Sequence, residues 1–323
     1  MPPCTKTISV GVWGLGAHAR RRILPALHAC PGTSLAGVTT RDQTVAGQEA
    51  VKYGCTAWPS PAEMLKDPAV EAVYVATPSG LHTSHGMTVL RSGKHLWCEK
   101  PIASTLAEAQ ELSKAAREND RALCEGLMYL YHPQFSVIAN IISADSIGAV
   151  LSIQSQFGLP PLEKPGFRTD PTLGGGALLD LAPYPLSATL ALLDQRWDVV
   201  DSYVGRPSGH AVDISGHALL TTSSGNVTAF LEWGYERAYR NHISVWGERG
   251  SIQSDFIFSK PPDFSPTVSL RDQNGRIETI AVAPADSFEA MFSSFTEAVW
   301  DPALGEKLRD GIELRAGLLE QFR

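Results

Sequence analysis

At 323 residues the chain is long enough to bury two hydrophobic cores, and two domains are expected. Hydrophobic residues make up 43% and charged residues 19%, the balance of a soluble globular protein. The net charge of −7 and the lack of any basic run exclude a protein that works by neutralising nucleic-acid phosphates.

The first residues, Met1 to Lys6, lack the apolar stretch of a secretion signal, and no apolar run reaches the ~20 residues that a membrane span needs. Five cysteines (Cys4, Cys30, Cys55, Cys98, Cys124) form no C-x-x-C pair and are odd in number, which fits a reducing compartment. A cytoplasmic protein is expected. From Ile8 onward, short Val- and Leu-rich runs alternate with amphipathic stretches. Ile8–Trp13, Ser34–Thr39, Ala72–Ala76 and His95–Cys98 are predicted strands. Arg20–Cys30, Gln43–Tyr53, Pro61–Leu65, His82–Ser92 and Leu106–Asn119 are predicted helices. Such alternation predicts a parallel, doubly wound α/β sheet. A further strand, Ala122–Leu130, then leads into Tyr131-His132-Pro133.

After about residue 123 the texture changes. Predicted strands at Val150–Phe157, Val199–Val204, Ser215–Thr221, Asn226–Trp233, His242–Trp246, Thr267–Leu270 and Ile277–Val282 are longer and partly alternating. Turn signals such as Ser224-Gly225-Asn226, Glu248-Arg249-Gly250 and Asn274-Gly275 separate them. This predicts a large, mostly antiparallel open sheet, with helices at Pro183–Leu193 and Ser287–Trp300. The amphipathic stretch Glu306–Phe322 is expected to pack back onto the body as a C-terminal helix. Residues 1–122 are thus expected to form a dinucleotide-binding domain, and residues 123–323 an α+β domain for substrate binding and oligomerisation.

Gly14-Leu15-Gly16-Ala17-His18-Ala19 matches G-x-G-x-x-A directly after the first strand and at the opening of a helix. Gly14 permits the tight turn, Gly16 lets backbone approach a pyrophosphate, and Ala19 keeps helix and strand close. The helix N-terminus supplies N–H groups to the anion. An NAD site normally ends its second strand with an acidic residue on the ribose 2′-hydroxyl. Here the strand ends Val38-Thr39-Thr40-Arg41. Thr40 can donate to a 2′-phosphate and Arg41 can pair with it through its guanidinium fork, whereas Asp42 is placed to cap the next helix. NADP(H) is the expected cofactor. Ala76-Thr77-Pro78 leaves the next strand and should line the nicotinamide-ribose side of the crevice. His82 and His85 lie three apart on a helix, but no further ligand accompanies them, and no metal is expected.

Lys100 follows the apolar run Leu96-Trp97-Cys98 in Glu99-Lys100-Pro101. A lysine at the carboxyl end of a buried strand is poorly placed for stability and well placed to meet a ligand beyond the sheet.

Together, the glycine motif, Ala76-Thr77-Pro78 with His82, Gly93-Lys94-His95 running into Glu99-Lys100-Pro101, and Gly174-Gly175-Gly176 running through Asp180 to Tyr184 resemble the Gfo/Idh/MocA oxidoreductases. The resemblance implies a Rossmann domain and a second domain whose open sheet face builds a homodimer or homotetramer. It places Ala17, His18, Thr77, Pro78, Leu81, His82 and Glu99 among the cofactor contacts, and Lys100, Asp180 and Tyr184 at the reacting centre. Tyr184 stands where the family usually has histidine, as in its sugar and diol reductases. Lys100 can polarise a carbonyl and hold the developing alkoxide, and Tyr184 can exchange the proton. Asp180 can orient substrate or keep Lys100 charged; it lies four residues before Tyr184, on one face if both share a helix.

Trp233-Gly234-Tyr235-Glu236 with Tyr239-Arg240, then Trp246-Gly247 and Phe258-Ser259-Lys260-Pro261-Pro262, are similar to nucleotide-sugar 3-ketoreductases of deoxysugar pathways. Tyr235, Arg237 and Ser259 depart from that pattern, which has phenylalanine, histidine and threonine there. A sugar nucleotide needs aromatic faces and cations for its diphosphate. Tyr239, Ser259 and Arg21 are the substrate candidates; Arg168 is a candidate for cofactor or diphosphate. The expected function is NADPH-dependent reduction of a nucleotide-linked keto-deoxysugar. A dehydrogenase of free sugars or trans-dihydrodiols and a non-catalytic NADP-sensing regulator are the alternatives.

Overall fold

The computed structural model describes residues 6–323. It divides into two compact units. One runs to Gly126 and resumes over Phe288–Ala316; the other comprises Leu127–Ser287 and Gly317–Arg323.

The first unit holds a six-stranded sheet of order β3-β2-β1-β4-β5-β6, paired in parallel throughout. Its strands are β1 (Ile8–Trp13), β2 (Thr33–Thr39), β3 (Thr56–Ala57), β4 (Ala72–Val75), β5 (His95–Glu99) and β6 (Leu123–Gly126). The central β4 is buried along its whole length, as expected of a strand covered on both faces. The crossover helices are α1 (Leu24–Ala29), α2 (Gln43–Tyr53), α3 (Pro61–Lys66), α4 (His82–Arg91) and α5 (Leu106–Glu118). Side-chain caps fix three of their starts. Asp42 accepts from Thr44 and Val45, Ser60 from Glu63, and Thr105 from Glu108. Asp42 therefore caps α2, as its position after Arg41 suggests. Strand order reverses between β1 and β4, and the crevice beyond their carboxyl ends is where such sheets bind ligands.

The second unit carries an eight-stranded sheet of order β14-β13-β12-β11-β7-β10-β9-β8. Its strands are β7 (Val150–Gly158), β8 (Trp197–Gly205), β9 (Ser215–Thr222), β10 (Thr228–Gly234), β11 (Arg240–Gly247), β12 (Gly250–Asp255), β13 (Thr267–Asp272) and β14 (Ile277–Ala281). All pairs are antiparallel except β7 with β10. Helices α6 (Pro133–Ser143), α7 (Ala177–Leu181) and α8 (Pro183–Leu192) belong to this unit. The last two helices of the chain are α9 (Ser287–Trp300) and α10 (Pro302–Gln321); the boundary between units falls within α10.

Three local expectations are corrected. The strand placed at Ala122–Leu130 ends at Gly126, and a 3-10 turn over Met128–Tyr131 leads into α6, which was not expected. Pro133 is the first residue of α6, where its missing N–H costs nothing, and the His132 ring accepts from the Gln134 N–H. Strand β12 was also not expected, because Ile252 is its one aliphatic residue and strand periodicity has little to register. Finally, Asp180 and Tyr184 do not share one helix. Pro183 and Pro185 lack the N–H groups that would bond Leu179 and Leu181, so the hydrogen-bond ladder is interrupted at Ala182, whose backbone stays right-handed helical, and resumes as α8.

Candidate active site

In the first unit, the chain leaves β1 through Gly14, whose φ of +105° suits glycine. A Cβ there would lie 2.6 Å from the Ala76 carbonyl oxygen, so the close approach of the β1 and β4 loops requires glycine. At Gly16 a Cβ would meet nothing within 4 Å, and Gly16, Ala17 and His18 are exposed. The helix of residues 17–29 starts here, and Ala19 is buried against the sheet. Open backbone at a helix N-terminus fits a pyrophosphate. Thr40 and Arg41 follow β2; Thr40 is half-buried and Arg41 exposed. Arg21 is exposed on the helix after the glycine loop.

Two loops at the carboxyl ends of β4 and β5 are tied together by His82. Its Nδ1 lies 2.8 Å from the Pro101 carbonyl oxygen and its Nε2 lies 2.7 Å from that of Thr77. The ring is 1% exposed, and both nitrogens are taken up by protein carbonyls. His82 thus shapes the loops rather than offering a nitrogen to a ligand. The Thr77 hydroxyl lies 3.0 Å from Nδ1 of His85, whose ring stacks on Trp13. Pro78 and Leu81, in the same turn, are partly exposed.

Glu99 receives the Tyr74 hydroxyl at 2.7 Å and faces His18 Nε2 at 3.2 Å. Burial alone would raise its pKa. The His18 ring, the Tyr74 hydroxyl and the Lys100 charge outweigh it and hold the carboxyl at about 2. Lys100 follows immediately, half-buried at the carboxyl end of β5 as its sequence position suggests.

In the second unit, α7 begins at Gly176, where φ is +119° and a Cβ would lie 2.2 Å from the Asp213 carboxylate. That carboxylate accepts from the Leu178 N–H at 2.6 Å, and the Asp213 carbonyl from the Ala177 N–H at 3.0 Å. Asp213 is therefore a distant cap for the short helix that carries Asp180. Asp180 is 9% exposed, and its Oδ2 accepts from Arg168 Nε at 2.7 Å and from the Tyr235 hydroxyl at 2.8 Å. Arg168 thus engages Asp180 through Nε, and its side chain remains 34% exposed.

Tyr184 is set by an aromatic wall. Its ring centroid lies 5.0 Å from that of Phe157, 5.6 Å from Phe258 and 5.9 Å from Tyr129. The Tyr129 hydroxyl donates to the Tyr184 carbonyl at 3.1 Å. Asn241 gathers the two substrate candidates. Its Nδ2 donates to the Tyr239 hydroxyl at 2.9 Å and to the Ser259 carbonyl at 3.0 Å. Tyr239 and Ser259 are exposed. Sequence reasoning did not assign roles to Tyr129, Tyr235, Asn241 or Phe258. For Tyr235 and Phe258 the available signal was their place in the stretches similar to nucleotide-sugar 3-ketoreductases.

Among the described residues no group of three or more potential ligands could hold a metal ion, and no helix is long and apolar enough to cross a membrane.

Residues 8–127 match the GFO/IDH/MocA oxidoreductase family with an NAD-binding Rossmann fold, and residues 135–253 match a GFO/IDH/MocA C-terminal domain. The dTDP-3,4-didehydro-2,6-dideoxy-alpha-D-glucose 3-reductase of Streptomyces antibioticus is 33% identical over 289 residues, covering 90% of this chain and 88% of that protein. A 3-ketoreductase from Actinomadura kijaniata, solved with NADP and TDP-benzene, superposes with a TM-score of 0.91 at 32% identity over 98% of this chain and 96% of that one. Solved variants of it carry a tyrosine-to-phenylalanine or a lysine-to-alanine change. The NADP-dependent D-xylose 1-dehydrogenase 2 of Haloferax volcanii is 27% identical over 291 residues, covering 90% of this chain and 88% of that protein. With both domain types matched in order and a relative above 30% identity along nearly its whole length, the chain belongs to the GFO/IDH/MocA oxidoreductase family.

Proposed function

We propose that this protein is a cytoplasmic NADPH-dependent reductase of a keto group on a nucleotide-linked keto-deoxysugar, of the dTDP-hexose 3-ketoreductase type. The observation that carries the reading is the near full-length likeness to the Streptomyces 3-reductase, with Lys100 and Tyr184 both present. The lysine and the tyrosine substituted in the Actinomadura protein are as far apart in its sequence as these two are here. The described cysteines are all free thiols, in keeping with a reducing compartment.

In this reading the glycine loop and Thr77–Pro78 hold the dinucleotide, and Thr40 and Arg41 bind its 2′-phosphate. NADPH, when bound, supplies the hydride. The ammonium of Lys100 donates a hydrogen bond to the keto oxygen and stabilises the charge that grows there as the carbon is reduced. The Tyr184 hydroxyl passes its proton to that oxygen and is reprotonated from solvent, so C=O becomes CH–OH. Asp180 keeps Lys100 charged or orients a sugar hydroxyl. Arg168, Arg21, Tyr239 and Ser259 are available to the nucleotide diphosphate and base. Exposed Leu151, Tyr203, Phe230 and Trp246 in the second unit's sheet strands support a homodimer or homotetramer built on that sheet.

NADPH oxidation against a panel of dTDP-keto-deoxysugars and free aldoses tests the substrate. Turnover of the nucleotide-linked ketones is expected, and turnover of free sugars alone would establish the second reading, a sugar dehydrogenase, which the Haloferax relative favours. Arg41→Ala is expected to lower the NADPH-over-NADH ratio of kcat/KM by ~10-fold or more, because a charge-assisted pair to the 2′-phosphate is lost. An unchanged ratio would remove Arg41 from the cofactor site.

A further inference from the structure

We propose that Tyr235 is a positioning residue of the reaction centre, which, opposite Arg168, grips one oxygen of the Asp180 carboxylate and keeps it ionised and fixed. The proposal rests on the reading of Asp180 as part of the reaction machinery. Both donors converge on Oδ2, Arg168 Nε at 2.7 Å and the Tyr235 hydroxyl at 2.8 Å. Tyr235 is itself held at both ends. Its N–H donates to the Ile214 carbonyl at 2.7 Å, and its hydroxyl lies 3.4 Å from the Gly176 carbonyl that opens α7.

The chemistry of the two donors favours the ionised form of Asp180. Burial, followed by the charge of Asp180, pushes the Tyr235 phenol far above its ordinary range, so it remains a neutral O–H donor at any working pH. Burial works against the charge of Arg168, but Asp180 outweighs it, and the guanidinium stays cationic with no capacity to accept. Arg168 can only donate, and the Tyr235 hydroxyl directs its proton to the same oxygen, so the carboxylate is the form that both contacts favour. Asp213 also acts on Tyr235, and Tyr184 on Arg168. Asp213 opposes a second negative charge nearby, and the grip on Oδ2 works against that repulsion. Tyr235 is 7% exposed and Asp180 9%, so water does not readily replace a lost donor.

Phenylalanine keeps the buried ring and removes the hydroxyl, which makes Tyr235→Phe the discriminating variant. With NADPH and whichever panel substrate the wild type reduces, kcat is expected to fall roughly tenfold while KM for NADPH stays within about twofold. The acid limb of the kcat profile is expected to move to higher pH by about one unit, the size of one hydrogen bond to a charged group. A loss of stability without movement of the limb would mark a merely structural role and overturn the proposal. Carboxyl-13C titration of Asp180, assigned by its disappearance in Asp180→Asn, reads the same group without substrate. The wild-type signal should hold its ionised position down to the lowest pH at which the protein stays folded, and the variant's should titrate above it. A wild-type signal that titrates like an ordinary aspartate overturns the proposal even if Tyr235→Phe does not fold. A shifted carboxylate in a protein that reduces no keto-sugar overturns the ketoreductase reading and upholds the role of Tyr235.

Discussion

Lys100→Ala is expected to lower kcat for keto-sugar reduction by about 10²- to 10³-fold, the cost of removing one donor to a developing alkoxide. NADPH binding, followed by the fluorescence of the reduced nicotinamide, is expected to persist. The turn at Gly14 is set by backbone, and the His82 ring ties to the backbone carbonyl of Pro101, so neither uses the Lys100 side chain. The separation of the two effects is the point of the measurement. A fall in kcat with an unchanged cofactor Kd assigns the lysine to the chemical step, whereas parallel loss of both would place it in cofactor binding. Full activity would remove Lys100 from the mechanism. Its neighbour Glu99 is unsuited to substitute for it, because a carboxyl held at about 2 is an anion at any working pH.

The largest expected effect on stability lies elsewhere. Arg315→Ala is expected to destabilise the first unit by about 3–5 kcal/mol, the range for removing one partner of a buried ion pair. Arg315, on α10, donates to Glu125 Oε2 on β6 through Nε at 2.8 Å and through its terminal nitrogen at 2.6 Å. The other oxygen, Oε1, accepts from the Ile102 N–H at 2.9 Å. Glu125 is 9% exposed, so the variant strands a buried carboxylate with one donor where it had three. Chemical denaturation with a probe in the first unit reads the loss; two-state analysis of the whole chain is not appropriate for two units. Arg315→Ala with Glu125→Gln should recover much of it, since a neutral amide avoids the stranded charge. A single variant as stable as wild type would show that water penetrates the pair and that α10 is anchored by its apolar face, including Ile312 and Ala316.

Ile312 and Ala316 belong to the core of the first unit, which periodicity in α10 could not indicate, because an amphipathic helix declares an apolar face and not the surface that covers it. Elsewhere local signals were sufficient. The limits of α2 and α9 agree with the predicted Gln43–Tyr53 and Ser287–Trp300, since caps, breakers and hydrophobic spacing all act within a few residues. The turn at Gly14 and the half-buried end of β5 at Lys100 were legible for the same reason: φ preference and strand burial are written in contiguous sequence. Membership in the family, and with it the oxidoreductase class, followed from such short motifs.

Contacts between distant residues carried no such signature. Asp180 could be marked as a site residue, but its two donors come from Arg168 and Tyr235, 12 and 55 residues away, and they meet it through the folding of α7 against the sheet. Tyr184 could be named, but the wall of Tyr129, Phe157 and Phe258 that sets its ring comes from a turn, the end of β7 and the loop after β12. Helix caps, turns and strand periods are local energies, readable along the chain. The orientation of a reacting group and the charge it keeps are set by which dipoles and rings surround it, and packing brings those from across the fold.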